Sequence, residues 1–316
     1  MRLVTYLHRD EAVGGVLVGG VVCPLSAATA RAGFAPVSSV REFLGLVDPS
    51  GRESVGRVAA ELVGTNGEQY SRLDELPLLP PVPDPDKIIC LALNSKAHCV
   101  EAGIAAPAVP WFFPKWRSSL VGHHGVVNPP AVSHQLDWEG EVALVIGSVA
   151  KHVTEDEALS YIAGVMPFND LSARDLLRGL ETIALTKSGD HQAPCGPALV
   201  SLDEIDNLDD LAYRTRVNGV VKQNGSTSDQ IFNAARTLAS LTRTTTLVPG
   251  DIVSMGTLTG VGVFADPPHF LDEGDVVEVE IDGVGTLRTR IGTPSHQPVT
   301  AAVAGVAAVQ ISGGQR

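Results

Sequence analysis

The chain has 316 residues, 44% hydrophobic and 19% charged, a balance that buries a core instead of staying disordered. Its 36 Asp and Glu against 23 Lys and Arg leave a formal net charge of −13, which argues against nucleic acid or an anionic membrane as a partner. Cys23, Cys90, Cys99 and Cys195 show no C-x-x-C spacing, and no long uncharged apolar run precedes or follows them. These features lead us to expect a reduced, soluble, cytoplasmic protein without a signal peptide. An acidic chain acting on an anion must reverse its field locally, and a bound cation does so.

In chain order, Leu3–Leu7 and Gly15–Val22 read as short strands, and Val40–Leu44 and Ser54–Val63 have helical spacing. Prolines at 80, 81, 83 and 85 then exclude regular structure. We place a boundary there, giving a small α/β module at 1–80 and a catalytic domain at 81–292. Ser95 caps a helix that Gly103 ends, and Thr154-x-x-Glu157 is a capping box opening a second helix. Asn218-Gly219 and Asp282-Gly283 mark tight hairpin turns, and Val276–Ile281 alternates as a half-buried strand. Hairpins outnumber helices, which predicts an α+β, mostly β fold, a mixed sheet roll or sandwich. Residues 293–316 read as a flexible tail or a short terminal helix.

Glu139 and Glu141 open the apolar run Val142–Ile146, and their spacing of two puts both carboxylates on one face of a strand. Such a pair is either a solvated strand end or a cation seat. Ala163–Asn169 reads as a returning strand that leaves Asp170 at its end beside them. Three carboxylates without His or Cys describe a hard oxygen site for Mg²⁺ or Mn²⁺. His98 and Glu101 lie three apart on one helix face, either as a surface ion pair or as an oriented base. Arg174 and Lys187 are cations able to hold a carboxylate or an oxyanion, or to serve as scaffold.

The strings D-W-E-G-E-V-A-L-V-I-G (137–147), N-D-L-S-A-R-D (169–175), K-S-G-D (187–190), V-N-G (217–219) and P-G-D-I-V-S-M-G-T-L-T-G-V-G (249–262) occur in an order that resembles the fumarylacetoacetate hydrolase superfamily over residues 87–291. The resemblance implies a mixed β-roll, usually a homodimer, with Glu139, Glu141 and Asp170 as metal ligands and His98–Glu101 as the base dyad. It matches Lys187 and Arg174 to further catalytic positions, and Lys115 and Thr257 to substrate-binding ones. Four positions depart from the family pattern: Ser95 for Tyr, Leu177 for Gln, Gly189 for Phe and Leu258 for Pro. With Leu177 and Gly189 set at the substrate, they predict a roomier, less polar pocket for a cyclic or longer-chain dicarbonyl. The activity implied is cleavage of a C–C bond in a 2-oxo acid or 1,3-dicarbonyl through a metal-bound enolate. Isomerisation, decarboxylation and hydration share that enolate, and a catalytically dead binding protein of the same fold is the non-enzymatic alternative.

Overall fold

A computed structural model describes residues 1–177 and 183–295. Strand residues outnumber helical ones and most of them lie in two sheets, packed with helices of which Pro49–Asn66 is the longest, so the mostly-β expectation holds. The larger sheet has ten strands, and along its main path the order is Val21–Pro24, Glu11–Val18, Arg2–His8, Leu199–Ser201, Ile162–Asn169, Gly140–Ile146, Ile252–Ser254, Ile88–Ala92 and Trp111–Lys115. The N-terminal strands thus continue into the sheet of the central region through Leu3↔Leu199. The smaller sheet has five strands and contains both hairpins at Asn218-Gly219 and Asp282-Gly283. Asn218 and Gly219 take φ of 51° and 79°, the left-handed pair that a two-residue hairpin requires.

Gly140–Ile146 is buried along its whole length, which explains its unbroken apolar run. Val142, Leu144 and Ile146 face one core cluster, with Tyr213, Leu238 and Ile281. Ala143 and Val145 face another, with Cys90, Phe113, Met166 and Phe168. The alternation therefore assigns faces: Glu141 continues the side of Ala143, Asp170 that of Phe168, and Lys115 that of Phe113. Because Gly140 pairs with Asn169, the antiparallel register sets Glu139 opposite Asp170, whose amide donates to the Glu139 carbonyl at 2.8 Å.

Three local expectations change. Gly15–Val22 is not one strand: Gly19 and Gly20, at φ of 56° and 85°, turn the chain between Glu11–Val18 and Val21–Pro24. Only half of the Thr154–Glu157 box forms: Glu157 accepts from the Thr154 amide at 3.4 Å and from its hydroxyl at 2.8 Å, but no side chain caps the short 3-10 turn Ala158–Tyr161 that follows in place of a helix. The proline segment has no regular structure, but Pro80, Pro81, Val82 and Pro85 are buried, and Pro81 accepts from Thr5 at 2.7 Å. The helices near 40 and 54 run Val40–Leu46 and Pro49–Asn66, each with a side-chain cap, Ser39 and Asp48. Of the expected tail, residues 296–316 lie outside the described residues.

Candidate active site and metal centre

Carboxylate oxygens of Glu139, Glu141 and Asp170 all lie within 4.8 Å of one another, and all three side chains are buried. Two are already matched by cations. Lys187 Nζ sits 2.5 Å from Glu139 and 2.9 Å from Asp170. Arg174 donates to Glu139 at 2.6 Å and to Asp137 at 2.9 Å, and Lys115 donates to Asp170 at 2.6 Å. Burial works against ionising Glu139, but Lys187 and then Arg174 outweigh it and hold its pKa at about 2. Glu141 differs: it accepts from the Ser254 hydroxyl and from Gly256 N at 3.1 Å, with no ion pair among the described contacts. Burial pushes its pKa well up, and the charges of Asp170 and Glu139 push further. That surplus acid, in an all-oxygen cluster of this spacing, fits a hard divalent cation such as Mg²⁺ or Mn²⁺.

His98 and Glu101, the expected base dyad, stand on the six-residue helix Lys96–Glu101, capped by Ser95, whose hydroxyl accepts from His98 N at 3.0 Å. His98 Nδ1 lies 2.8 Å from Glu101, and the other Glu101 oxygen accepts from Gly260 N at 2.7 Å. Burial opposes ionisation of Glu101, but the hydrogen bonds from His98 and Gly260 prevail and its pKa is lowered. An ionised Glu101 fixes the proton on Nδ1 and leaves Nε2 as the basic nitrogen. His98 is 7% exposed, so the surface-pair reading does not describe it.

A cavity of about 220 Å³ joins these groups, and His98, Glu139, Glu141, Arg174, Lys187 and Thr257 all line it. Its remaining walls are largely apolar, with Trp111, Phe113, Leu177 and Phe264 among them. Lys187 is held protonated: burial would lower its pKa, but Asp170 and Glu139 raise it well above the usual lysine value. It is a donor and not a base.

Some expected residues lie elsewhere. Lys115 is fully buried behind Asp170, bonded also to the carbonyls of Leu171 and Lys187, so it props the acid and does not line the cavity. Gly189 is outside the lining too. Its amide bonds to Gln192, and a Cβ there would meet Gln192 Oε1 at 2.6 Å, so absence of a ring enlarges nothing. Leu258 packs in the core and Ser95 bonds to Asp229, so of the four departures only Leu177 faces the cavity.

Two side chains were not among the expected site residues. Asp137 is fully buried and accepts from Trp138, Gly262 and Val263 amides as well as from Arg174. Its spacing of two from Glu139 was the available signal. Gln223 accepts from Gly140 N at 2.9 Å and donates to the Thr257 hydroxyl at 2.8 Å, fixing that hydroxyl between two partners. Its place four residues after Gly219 of the V-N-G string was the available signal for Gln223, which the fold brings in from the other sheet.

Residues 87–292 match the family model described as fumarylacetoacetate (FAA) hydrolase C-terminal, and the chain belongs to that family. Among curated relatives, it is 38% identical over 250 residues to the oxaloacetate tautomerase fahd2, mitochondrial, of Xenopus laevis, covering 78% of this chain and 76% of that one. It is 39% identical over 224 residues to the oxaloacetate tautomerase YisK of Bacillus subtilis, covering 70% and 74%. The solved fumarylacetoacetate hydrolase of Exiguobacterium antarcticum superposes with a TM-score of 0.77 at 29% identity, over 93% of this chain and 99% of that one.

Proposed function

We propose that this chain is a metal-dependent enzyme that interconverts the keto and enol forms of a short 2-oxo acid, with oxaloacetate as the first substrate to test. One observation carries the reading: His98 and two of the three clustered acids, Glu139 and Glu141, line one small cavity, with Asp170 buried beside them. A divalent cation held by Glu139, Glu141 and Asp170 would supply the Lewis acid that polarises the 2-oxo group. His98 takes a proton from the adjacent carbon as the enolate forms and returns it to oxygen, so the reaction needs no co-reactant. Glu101 keeps the imidazole in the tautomer that accepts at Nε2. Lys187 and Arg174 face the enolate oxygen and the carboxylate as fixed positive donors. The names of the relatives and the apolar walls favour proton transfer over attack by water.

C–C hydrolysis of an acylpyruvate, the reaction favoured from sequence alone, is the second reading, because Lys187 and Arg174 would also stabilise a leaving enolate. Following enol absorbance of oxaloacetate, and pyruvate release from an acylpyruvate, separates the two. We expect Mg²⁺- or Mn²⁺-dependent acceleration of the first without bond cleavage. Pyruvate release without accelerated tautomerisation would transfer the assignment to the hydrolase.

A further inference from the structure

The metal acids and the base sit on different elements, and something must hold them in one frame. The loop Gly260–Phe264 touches Glu101 and His98 directly and reaches the acids through Asp137. At the base, Gly260 N donates to Glu101 at 2.7 Å, and the Phe264 ring lies 5.9 Å from the His98 ring. At the floor, Gly262 N and Val263 N donate to Asp137 at 2.7 and 3.1 Å, and the Gly260 carbonyl accepts from Trp138 Nε1 at 3.0 Å. The second Asp137 oxygen, which takes the Val263 amide, also takes Arg174 Nε at 2.9 Å, while Arg174 Nη2 reaches Glu139. Gly262 is what permits the approach, since a Cβ there would stand 2.7 Å from Asp137 Oδ1 and 1.9 Å from the His269 carbonyl. Three amides and a guanidinium converge on Asp137, filling a carboxylate's acceptor sites.

We infer that Asp137 is a positioning residue that locks Arg174 onto Glu139 and, through the Gly260–Phe264 loop, keeps the His98–Glu101 base aligned over the acid site. It touches neither substrate nor metal. It acts through Arg174 on one side and through the loop on the other. Asp137→Asn preserves its shape but turns one oxygen into an NH₂ that faces a donor, so either the guanidinium or the loop must give way. The inference rests on the proposed roles of Arg174 and His98.

The test is a double-mutant cycle of Asp137→Asn and Arg174→Lys, reading kcat and KM for keto–enol interconversion, the pH–rate profile, and Mn²⁺ affinity by calorimetry. We expect Asp137→Asn to lower kcat by about 10–100-fold, the range usual for groups that orient an active-site ligand. Mn²⁺ affinity should stay within about 3-fold, because the three ligands are untouched. In the Arg174→Lys background, whose ammonium cannot bridge both carboxylates, the further loss should shrink to under about 3-fold. Equal losses in the two backgrounds, or wild-type kcat in Asp137→Asn, would overturn the inference. Should Asp137→Asn fail to fold, the exposed loop change Phe264→Ala carries the test. A shifted acid limb of its pH–rate profile supports the loop as the aligner of His98, and an unchanged profile and kcat refutes it. An inactive wild type would refute the tautomerase reading itself, whereas an additive cycle in an active wild type refutes only the role of Asp137.

Discussion

At the scale of single residues, the site is an unequal set of charges on one sheet face. Lys115, Lys187 and Arg174 compensate Asp170, Glu139 and Asp137, and Glu141 is left over. Glu141→Gln keeps the side chain's volume and removes that surplus, so calorimetry should show loss of Mg²⁺ and Mn²⁺ binding with the fold retained. Retained affinity would move the cation elsewhere. His98→Ala should lower turnover by about 10²–10⁴-fold, the usual contribution of a general base, while metal affinity is kept. A separate histidine gives a pH test. His123 Nδ1 accepts from Arg288 N at 3.0 Å, and burial first, then the charges of His124 and Arg288, lower its pKa from 6.5 to about 4. Between those values the unfolded chain binds a proton that the folded one refuses, so this stabilisation is complete above pH 6.5 and lost as pH falls towards 4. For a half-buried group it amounts to roughly 1–2 kcal/mol after solvent screening. Urea unfolding of His123→Asn should show a flatter pH dependence in that window, and an identical slope would discard the account. The acid trio was legible because strand alternation puts Glu139 and Glu141 on one face and the antiparallel return of Ile162–Asn169 leaves Asp170 beside them. Lys115 behind Asp170 was not, since its place depends on how Trp111–Lys115 pairs with Ile88–Ala92.

At the scale of elements, what the sequence made readable was local chemistry: Ser95 as a cap, Asn218-Gly219 as a hairpin, Val276–Ile281 as an alternating strand. The misread strand at Gly15–Val22 shows the limit. Val16–Val18 and Val21–Val22 read as one apolar run, which hid the turn that Gly19-Gly20 itself signals through glycine's access to positive φ. The Thr154–Glu157 spacing shows another: the pair bonds locally without capping a helix, and the strand that starts at Ile162 leaves room for a 3-10 turn only. The base-bearing helix is short enough that its cap matters. Ser95→Ala removes the bonds to His98 N and Asp229 and should cost about 1 kcal/mol locally. We predict reduced kcat with nearly unchanged global melting temperature, and hydrogen exchange confined to Lys96–Glu101 checks it. Equal loss throughout the chain would contradict a local effect.

At the scale of the molecule, the continuous large sheet ties the N-terminal strands to the strands that carry the acids, so a cation held there should stabilise the whole fold. A cation at 100 times its dissociation constant adds about 2.7 kcal/mol and should raise the melting temperature by several degrees, reversibly on chelation. The family was legible because its motifs cover the sheet strands and turns that build the site. The predicted spacious pocket was not borne out at Gly189 and Leu258, because which face a residue presents is set by packing that motif matching does not contain. The homodimer stays a proposal for light scattering.

The claim on which the account turns is that the acid trio's cation and the His98 base work in one cavity on one 2-oxo acid. Titrating chelator-stripped enzyme with Mn²⁺, while recording binding heat and oxaloacetate enol decay on the same samples, tests it most directly. The account predicts one site per chain, with catalysis rising in proportion to occupancy in the wild type, while His98→Ala binds equally well and stays nearly inactive. Full catalytic rate in the stripped enzyme, or catalysis that does not follow occupancy, would contradict it.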